Sequence, residues 1–315
     1  MGQFKGISII STGHAAGSRI VKNEEISAAA GTTAEWIAER TGIESRCYCG
    51  EDESNVTLAV DAAGQALRKS GLDAKSIGLC IVATMTPSYA TPSTACLVQS
   101  ALGLREDIAS YDINAACSGF LYALDTARAQ LYMNDIDYAL VIGSEKFSDM
   151  LDMSDYGTAV LFGDGAGAVI IARANAVYFN MMYSRGSSLI WADGPAGDGS
   201  VLHMQGRQVF KFATTTIEKS INLILKKSNR SIDEIDHFVL HQANERIIDF
   251  VIKHMKLRPE RVHKNIKSVG NTSAASIPLL MDQLVDMGRI KKGELVLFVG
   301  FGAGLTWSAV LLEWT

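Results

Sequence analysis

The feature that most constrains the fold of this chain is an internal duplication. Two stretches that each predict a helix, a turn and a strand recur in the sequence, and two further motifs recur at nearly the same offset. The repeat predicts two similar halves, each roughly one domain in length. The paired segments are residues 67–82 with 225–240, 114–118 with 271–275, and 139–143 with 296–300.

Each half alternates helical patterns with short strands rich in Val, Ile and Leu, which favours an α/β fold with sheets covered by helices. Two such halves packed together would bury a shared helical layer and bring equivalent loops to one place. We expect an N-terminal half at 1–172 and a C-terminal half at 206–315. The sequence turns irregular at 173–205, which we interpret as a connecting segment that covers the site.

Composition excludes several classes of protein. With 315 residues, 48% of them hydrophobic, the chain can bury a large core. Its net charge is −5 and it has no long Lys/Arg run, so we expect no nucleic-acid partner. It shows neither a signal peptide nor a membrane-spanning apolar run, and we expect a cytoplasmic protein. Five scattered cysteines suggest reduced thiols, and their spacing gives a metal site little support.

The candidate nucleophile is Cys117, which stands among the small residues of Asn114-Ala-Ala-Cys-Ser-Gly-Phe120. A strand is predicted at 108–113 and a helix from Phe120 onward, so the sulfur lies at a strand-to-helix junction. Backbone N–H groups and the positive end of the helix dipole lower a thiol pKa there, which predicts a reactive thiolate. The alternative is a buried structural cysteine.

The duplication brings two further polar residues toward Cys117. His241 ends a predicted strand, and Asn271 sits in a glycine-led turn equivalent to the Cys117 segment. Cys, His and Asn together supply a thiolate and two hydrogen-bond donors for a thioester oxygen. A lone histidine at a strand end is more often structural. Trp36 and Arg40 share a helix face that suits an aromatic ring and a phosphate, or else a half-buried indole beside a solvated cation.

With these residues in place, the chain resembles the thiolase superfamily and, within it, the β-ketoacyl-acyl-carrier-protein synthase III family. The resemblance runs from end to end and implies two duplicated α/β halves in a five-layer α-β-α-β-α arrangement. Its motifs are Glu-Trp-Ile-x-x-Arg-Thr-Gly-Ile at 35–43, Ala-Ala-Cys-Ser-Gly-Phe at 115–120, Phe-Gly-Asp-Gly-Ala-Gly-Ala at 162–168, His-Gln-Ala-Asn-x-Arg at 241–246, Gly-Asn-Thr-Ser-Ala-Ala-Ser at 270–276 and Phe-Gly-Ala-Gly-Leu-Thr-Trp at 301–307.

The resemblance implies a two-stage acyl transfer. Cys117 takes the acyl group of an acyl-CoA, and malonyl-acyl-carrier protein (malonyl-ACP) is then decarboxylated to an enolate that attacks the acyl-enzyme. His241 and Asn271 would stabilise the charge on the malonyl thioester oxygen. The backbone N–H groups of Cys117 and Ala303 would hold the acyl oxyanion. The thioesters of CoA and ACP are substrates, no cofactor is expected, and a homodimer is implied.

The same resemblance assigns the residues of the substrate path. Trp36, Arg40 and Tyr156 would bind the adenine and phosphates of CoA, and Phe210 and Asn244 would line the pantetheine tunnel.

Three positions depart from the common family pattern. Tyr156 stands where arginine is common, which gives up a positive charge. Thr91 replaces a phenylalanine that often closes the acyl pocket across a dimer interface, so we expect it to open space for a longer acyl chain. Ala303 stands where glycine is usual, and its backbone donor survives provided that it needs no positive φ.

An acidic carrier protein needs a basic docking surface despite the negative net charge of this chain. We predict that surface around the C-terminal catalytic loop, where an ordinary solvated helix face is the alternative. The candidate residues are Lys211, Arg246, Lys253 and Lys256.

Three other functions compete with initiation of fatty-acid synthesis. A relative in specialised metabolism would use the same Cys117 acyl-enzyme to make another product or to transfer the acyl group to another acceptor. A non-catalytic partner subunit would be expected to lose its nucleophile, and Cys117 is present. A cysteine protease would use Cys, His and Asn but would have no need of the CoA-type motifs.

Overall fold

A computed structural model describes residues 5–193 and 201–315. Within these ranges the chain forms thirteen strands and nine α-helices. The strands are β1 Gly6–Ala16, β2 Arg19–Lys22, β3 Ser45–Tyr48, β4 Ile77–Ala83, β5 Ala109–Ile113, β6 Tyr138–Glu145, β7 Gly165–Ala174, β8 Tyr178–Ser187, β9 Ile190–Ala192, β10 Leu202–Met204, β11 His237–Leu240, β12 Leu295–Gly302 and β13 Gly304–Glu313. The helices are α1 Asn23–Ser27, α2 Ala34–Thr41, α3 Asn55–Ser70, α4 Thr94–Ala101, α5 Gly119–Met133, α6 Gly206–Ser228, α7 Glu245–Met255, α8 Ile266–Val269 and α9 Ser276–Asp286. No described helix is long and apolar enough to span a bilayer.

Two large sheets repeat the same strand order. The first runs β1-β7-β6-β4-β5 and the second runs β8-β13-β12-β11. Each sheet contains a parallel pair, β4 with β6 in the first and β11 with β12 in the second. The strands that follow are antiparallel in both, β6-β7-β1 in the first and β12-β13-β8 in the second. The second sheet has a single parallel bridge, Phe238 to Val262, where the first has β5. The duplication seen in the sequence is therefore a duplication of sheet topology.

The sheets and helices alternate in five layers. Helices α5 and α9 lie between the two sheets, where their apolar faces share one buried core with strands of both halves. Helices α3 and α4 cover the outer face of the first sheet, and α6 and α7 cover the outer face of the second. The predicted five-layer α/β fold is confirmed.

The helix ends explain why the repeat is visible in the sequence. Helix α3 ends at Gly71 with φ 67°, and α6 ends at Asn229 with φ 53°. Glycine and asparagine are the residues that adopt this left-handed conformation most readily. A single 3-10 turn follows each helix, at Ala74–Ser76 and Ile232–Glu234, and leads into β4 or β11.

The loops that bear the site repeat with the same geometry. Ala116 and Ser273 both have positive φ, 47° and 49°, two residues after an asparagine. The side-chain Oδ1 of Asn114 accepts a hydrogen bond from the Ala116 N–H at 3.2 Å, and Oδ1 of Asn271 accepts one from the Ser273 N–H at 2.9 Å. Each asparagine thus closes a tight turn that aims the following 3-10 turn and helix, α5 or α9, at the interface between the halves.

The interval 173–205 differs from its prediction as an irregular connection. Residues Tyr178–Ser187 form β8, which pairs antiparallel with β13 at the edge of the second sheet. Most of this strand is not buried, so its sequence lacks the apolar run of a central strand. Strands β9 and β10 form a separate hairpin, and residues 194–200 lie outside the described residues. The boundaries of the two halves remain a prediction.

Candidate active site

The three predicted catalytic residues line one small cavity. Cys117 lies in the 3-10 turn Ala116–Ser118 before α5, His241 directly follows β11, and Asn271 lies in the equivalent turn before α9. The cavity has a volume of about 40 Å³, and Ala303 also lines it. Residues that are more than 120 positions apart in the sequence are therefore brought together by the pseudo-twofold packing predicted from the repeat.

The C-terminal half supports the nucleophile of the N-terminal half. A Cβ atom at Gly302 would lie 2.6 Å from the backbone nitrogen of Cys117, and one at Gly300 would lie 3.1 Å from the Cα of Ser118. The relation is reciprocal, because a Cβ at Gly143 of β6 would meet the backbone of Ala274. The backbone of β12 at Gly300 and Gly302 thus packs directly against the turn that carries the thiol. This packing fixes the position of Cys117.

Thr306 connects the two segments whose backbone N–H groups, those of Cys117 and Ala303, are predicted to form the oxyanion hole. Its Oγ1 lies 2.8 Å from the carbonyl oxygen of Ala115, 2.9 Å from that of Ala303 and 2.7 Å from the Ser118 hydroxyl. The residue with positive φ in this turn is Gly304, at 124°, while Ala303 is not among the positive-φ residues. Alanine at 303 therefore introduces no backbone strain.

The expectation of a lowered thiol pKa is wrong for this structure. Burial of Cys117 raises its pKa to about 12, and the negative charge of Glu145 adds to the increase. The Ser273 hydroxyl and the backbone N–H of Cys117 act in the opposite direction. The backbone N–H at the helix start lowers the thiol pKa, but desolvation of the sulfur outweighs that effect.

His241 is held as a neutral hydrogen-bond donor. It is 1% exposed, and burial lowers its pKa to about 3. Its Nδ1 lies 2.7 Å from the Oγ of Ser276, which also accepts a hydrogen bond from the Gln242 N–H at 3.4 Å. In the tautomer in which the Ser276 hydroxyl donates to Nδ1, the imidazole proton resides on Nε2, the ring nitrogen that Ser276 does not contact.

Asn271 is oriented by its backbone neighbours. Its N–H donates to the carbonyl oxygen of Leu161 at 2.9 Å, and its own carbonyl accepts from the Gly163 N–H at 3.0 Å. Since the side-chain oxygen is held by Ser273 at 2.9 Å, the side-chain NH₂ is the group left to donate into the cavity. His241 and Asn271 thus both present N–H donors beside Cys117.

The buried histidines predict loss of stability in acid. Burial lowers the pKa of His241 to about 3 and that of His263 to about 4. Between these values and the unfolded pKa near 6.5 the unfolded chain binds more protons, so each histidine lowers the free energy of unfolding by up to about 1.4 kcal/mol per pH unit as pH falls. Glu145 acts oppositely from about pH 4.5 to 7, because burial raises its pKa to about 7.

We therefore expect the His263→Gln variant to show a shallower decrease of unfolding free energy between pH 6.5 and 4.5 than the wild type does. Urea titrations across this range measure it. The control is His254→Gln, at a histidine whose side chain is 57% exposed. An unchanged pH slope in the His263 variant would contradict the linkage.

A tunnel of about 210 Å³ leads to the cavity. All five residues predicted to bind CoA and pantetheine line it, together with Asn271, which the two spaces share. At its mouth the rings of Trp36 and Tyr156 meet edge to face, with centroids 5.7 Å apart and an interplanar angle of 88°. The five residues are Trp36, Arg40, Tyr156, Phe210 and Asn244.

Asn244 connects the tunnel wall to its mouth. Its Oδ1 caps α7 by accepting from the Arg246 N–H at 2.9 Å, and its Nδ2 donates to the carbonyl oxygen of Arg40 at 3.1 Å. The start of α7 is thereby tied to the end of α2, which carries Trp36 and Arg40 on its exposed side.

A second, wider cavity of about 360 Å³ adjoins the Cys117 cavity. The two share Met85, Ala116, Leu202 and Ala303 as lining residues. Thr91 lines neither of these cavities and is exposed on the single chain. The structure of one chain therefore does not bring Thr91 to Cys117.

The predicted docking residues are all exposed and lie on neighbouring helices. Lys211 is on α6, Arg246 and Lys253 are on α7, and Lys256 ends α7 in a left-handed conformation. Phe250 lies on the same helix and its ring packs edge to face against Phe210, which lines the tunnel. The basic surface therefore adjoins the tunnel wall.

Four residues of the site were missed by sequence reasoning, although each carries a recognisable signal. Ser273 and Ser276 belong to the recognised motif at 270–276, and Thr306 belongs to that at 301–307. Glu145 is a charged residue at the end of the otherwise apolar strand β6. A lone carboxyl in that position is a signal because burying a charge is costly.

Comparisons with known proteins agree with this geometry. Family models described as 3-oxoacyl-[acyl-carrier-protein (ACP)] synthase III and its C-terminal part match residues 111–188 and 225–314. A β-ketoacyl-[acyl-carrier-protein] synthase III of Clostridium perfringens is 42% identical over 98% of this chain and 100% of that protein. A Sphingopyxis alaskensis protein of the same name is 44% identical over 96% of this chain and 97% of its own length.

Solved structures extend the comparison. The crystal structure of 3-oxoacyl-[acyl-carrier-protein] synthase III from Aquifex aeolicus has a TM-score of 0.93 and 40% identity, covering 98% of this chain and 100% of the other. The priming β-ketosynthase of the R1128 polyketide pathway has a TM-score of 0.92 and 30% identity, covering 100% and 98%. With the duplicated fold, the shared motifs and these relatives together, the chain belongs to the β-ketoacyl-acyl-carrier-protein synthase III family.

Proposed function

We propose that this enzyme condenses an acyl primer from acyl-CoA with malonyl-ACP through a Cys117 acyl-enzyme, and so initiates fatty-acid synthesis. The observation that carries the proposal is the cavity in which Cys117 faces the two N–H donors of His241 and Asn271. That cavity adjoins a tunnel whose largely apolar walls suit a pantetheine arm.

The first stage is acylation. The Cys117 sulfur attacks the thioester carbonyl carbon, whose oxygen takes up negative charge against the backbone N–H groups of Cys117 and Ala303. The bond to the CoA sulfur then breaks, and CoA leaves along the tunnel. The Thr306 hydroxyl contacts the carbonyl oxygens of Ala115 and Ala303. It thereby holds the two segments that carry these N–H donors at a fixed separation.

The second stage is condensation. Malonyl-ACP places its thioester oxygen between the N–H donors of His241 and Asn271, and the bond to its carboxylate breaks to release CO₂. The electron pair forms an enolate that the two donors stabilise, and its carbon attacks the acyl-enzyme. The C–S bond to Cys117 then breaks, and the thiolate regains a proton. A neutral His241 suits this role, because it donates without itself losing or gaining a proton.

We further propose that Trp36, Arg40 and Tyr156 hold the nucleotide end of CoA. Trp36 and Tyr156 contact one another edge to face, so an adenine ring that stacks between them needs one of them to turn. Arg40 is the cation of this group, and the substitution of tyrosine for the usual arginine leaves it without a second one at position 156.

The basic surface of α6 and α7 is our proposed docking site for ACP. We expect Arg246→Glu to raise the KM for malonyl-ACP, more steeply at low salt, while acylation by acyl-CoA is nearly unchanged, because exposed charges steer an acidic partner through a screened field. Steady-state kinetics at two ionic strengths measure this. Lys292→Glu, at the opposite end of β12 from the active site, is the control. An equal effect on both substrates would point to a different docking face.

Thr91 bears on the choice of primer. We propose that it borders the acyl pocket of a second subunit, where threonine leaves the wider cavity open to the acyl chain. Each methylene buried there contributes about 0.8 kcal/mol, so octanoyl- and dodecanoyl-CoA should acylate Cys117 faster than acetyl-CoA does. Intact-mass measurement of acylation rates for wild type and Thr91→Phe tests this. A wild type that prefers acetyl-CoA, with Thr91→Phe unchanged, removes Thr91 from the specificity argument.

The same panel tests the function as a whole. Incubation with acyl-CoAs followed by malonyl-ACP should first add one acyl mass to the enzyme and then release β-ketoacyl-ACP. A stable acyl-enzyme that transfers its acyl group to another acceptor would instead support the specialised-metabolism alternative. The curated relatives at 42% and 44% identity are named synthase III, whereas the polyketide ketosynthase is 30% identical, which favours the first outcome.

We also propose a homodimer. Strand β5 pairs with β4 on one side and forms the edge of the first sheet. Of its five residues, four are partly buried and one is exposed. An edge of this kind is suited to pairing with its copy across a twofold axis. Light scattering coupled to size-exclusion chromatography measures the mass that decides this.

The expected absence of a cofactor and the cytoplasmic location remain predictions. One group with metal-ligand chemistry, His14, Asp282 and Asp286, lies outside the cavity around Cys117. The Lys69 ammonium is 2.7 Å from both carboxylates, so a protein cation already pairs with each of them.

A further inference from the structure

Glu145 is a buried carboxyl group beside Cys117 that neither stage of the reaction uses. It is fully buried at the end of β6. One oxygen, Oε2, accepts hydrogen bonds from the hydroxyls of Thr84 and Thr86 at 3.2 and 2.7 Å and from the N–H groups of Met85 and Thr86 at 3.1 Å each. The other oxygen, Oε1, accepts from the Ser273 hydroxyl at 3.1 Å. The two oxygens therefore differ in their contacts: Oε2 fixes the position of the carboxyl group, and Oε1 faces Ser273.

Ser273 connects that second oxygen to the nucleophile. The 3-10 turn Ser273–Ala275 packs against the turn that carries Cys117, and a hydrogen bond from the Ser273 side chain acts to lower the pKa of the Cys117 thiol. A hydroxyl carries one proton and two lone pairs. With its proton directed to Oε1 of Glu145, the Ser273 oxygen can accept the thiol proton of Cys117. Cys117, Ser273 and Glu145 thus form a continuous chain of donor and acceptor across the two halves.

The charges of the site favour transfer along this chain. If Cys117 lost its proton to water, two negative charges would face one another in a buried space, and the repulsion by Glu145 contributes to the raised pKa of the thiol. Transfer to Glu145 leaves a single negative charge at every point. Burial raises the pKa of the Glu145 carboxyl to about 7, which suits a group that gains and loses a proton near neutrality.

Within residues 5–193 and 201–315, the other groups facing Glu145 offer neither a competing proton acceptor nor a cation in contact. From the β4 side they are hydroxyls and backbone N–H groups, and β7 places Gly165 opposite Glu145 in the sheet. The following residue, Lys146, directs its ammonium to Asp149 at 3.1 Å. His241 on the far side of the cavity bonds Ser276 and is neutral at working pH.

We propose that Glu145 receives the Cys117 thiol proton through the Ser273 hydroxyl as the acyl-enzyme forms. The proton of the thiol passes to Ser273 Oγ while the Ser273 proton passes to Glu145 Oε1. The sulfur electron pair forms the bond to the acyl carbon, and the bond to CoA breaks with its electron pair on the CoA sulfur. The proton held by Glu145 ends on that sulfur, so the exchange of thioester for thioester is neutral. The acyl part of this inference rests on the proposed function.

The test compares Glu145→Gln with wild type in the alkylation of Cys117 by iodoacetamide, followed by intact mass from pH 5.5 to 9. This reaction needs no substrate, so it is independent of the proposed function. We expect wild type to show a rise in rate centred near pH 7, and Glu145→Gln to lose that rise and to react at least about 100-fold more slowly at pH 7, as for removal of a general base. A carboxylate with only a structural or repulsive role predicts the opposite, because its removal would leave the rate unchanged or increase it.

Ser273→Gly gives a second, independent measurement. Glycine keeps the positive φ of 49° and removes the bridging hydroxyl while Glu145 remains. We expect the same loss of the rise near pH 7, and retention of it would overturn the proposal even if Glu145→Gln failed to fold. Thr272→Val is the matched control, because the adjacent Thr272 hydroxyl is buried without a hydrogen-bond partner, and its pH profile should be that of wild type.

Acylation by acyl-CoA then separates this inference from the proposed function. Both the proton path and the proposed function are supported if acyl-CoA acylates the wild type and if Glu145→Gln slows acylation by the same factor as it slows alkylation. A Glu145-dependent alkylation profile without acylation by any acyl-CoA would leave the proton path standing and reject the proposed substrate.

Discussion

Cys117→Ala is expected to abolish the acyl-enzyme and to lower condensation by about a million-fold, the scale on which removal of a covalent nucleophile acts. The same variant should still decarboxylate malonyl-ACP, because it retains His241, Asn271 and the backbone N–H at position 117. Intact mass after incubation with acyl-CoA measures the first effect, and release of CO₂ from malonyl-ACP measures the second.

The matched control for this variant is Cys96→Ala. Cys96 is a partly buried thiol on α4 that contacts the carbonyl oxygen of Ser110 at 3.5 Å, away from the cavity that holds Cys117. It should acquire the acyl mass at the wild-type rate. An acyl adduct that persists in Cys117→Ala and disappears in Cys96→Ala would show that the nucleophile is misassigned.

Asn271→Asp is expected to slow malonyl decarboxylation by about a hundredfold to a thousandfold, as loss of one donor to a developing oxyanion does. The substitution keeps the Oδ1 that accepts from the Ser273 N–H, and so preserves the turn. It replaces the donating NH₂ by an oxygen that repels the enolate. Self-acylation should fall much less, because its oxyanion is held by backbone N–H groups. Separate single-turnover measurements of the two stages give the comparison.

The duplication supplies the control for this second variant. Asn114→Asp makes the same chemical change in the equivalent turn, where Oδ1 accepts from the Ala116 N–H at 3.2 Å. Asn114 is exposed and does not line the Cys117 cavity, so decarboxylation should remain close to wild type. If Asn271→Asp lost self-acylation but decarboxylated malonyl-ACP at the wild-type rate, the division of labour between the donors would be wrong. His241→Ala should fail at the same stage as Asn271→Asp.

Local signals were sufficient for the parts of the fold that repeat. Gly71 and Asn229 end equivalent helices, and the asparagines at 114 and 271 begin equivalent turns, so the alignment of the halves predicted which loops meet. Strand β8 escaped prediction because an edge strand that is exposed along much of its length has neither the alternation nor the apolar run by which strands are recognised.

The electrostatics of the site could not be predicted from its motifs. The sequence places Cys117 at a helix start, which lowers a thiol pKa, but it does not show that the surrounding cavity is desolvated or that Glu145 faces the sulfur from the end of another strand. The same limit applies to Ser276, whose hydroxyl lies 2.7 Å from Nδ1 of His241 although the two residues are 35 positions apart in the sequence. Such effects depend on tertiary distances and burial, which no local pattern encodes.

The packing of β12 against the Cys117 turn has a consequence for biosynthesis. A nascent chain that has emerged only as far as α9 contains Cys117, His241 and Asn271, but it lacks Gly302, which packs against the Cys117 backbone, and Ala303. Because domains made first can begin to fold while translation continues, the N-terminal sheet can form around an incomplete nucleophile turn. Ribosome-bound chains halted before β12 should therefore carry a Cys117 that is open to ordinary thiol reagents yet unable to accept an acyl group, and acyl transfer should begin only once β12 and β13 have been released from the exit tunnel.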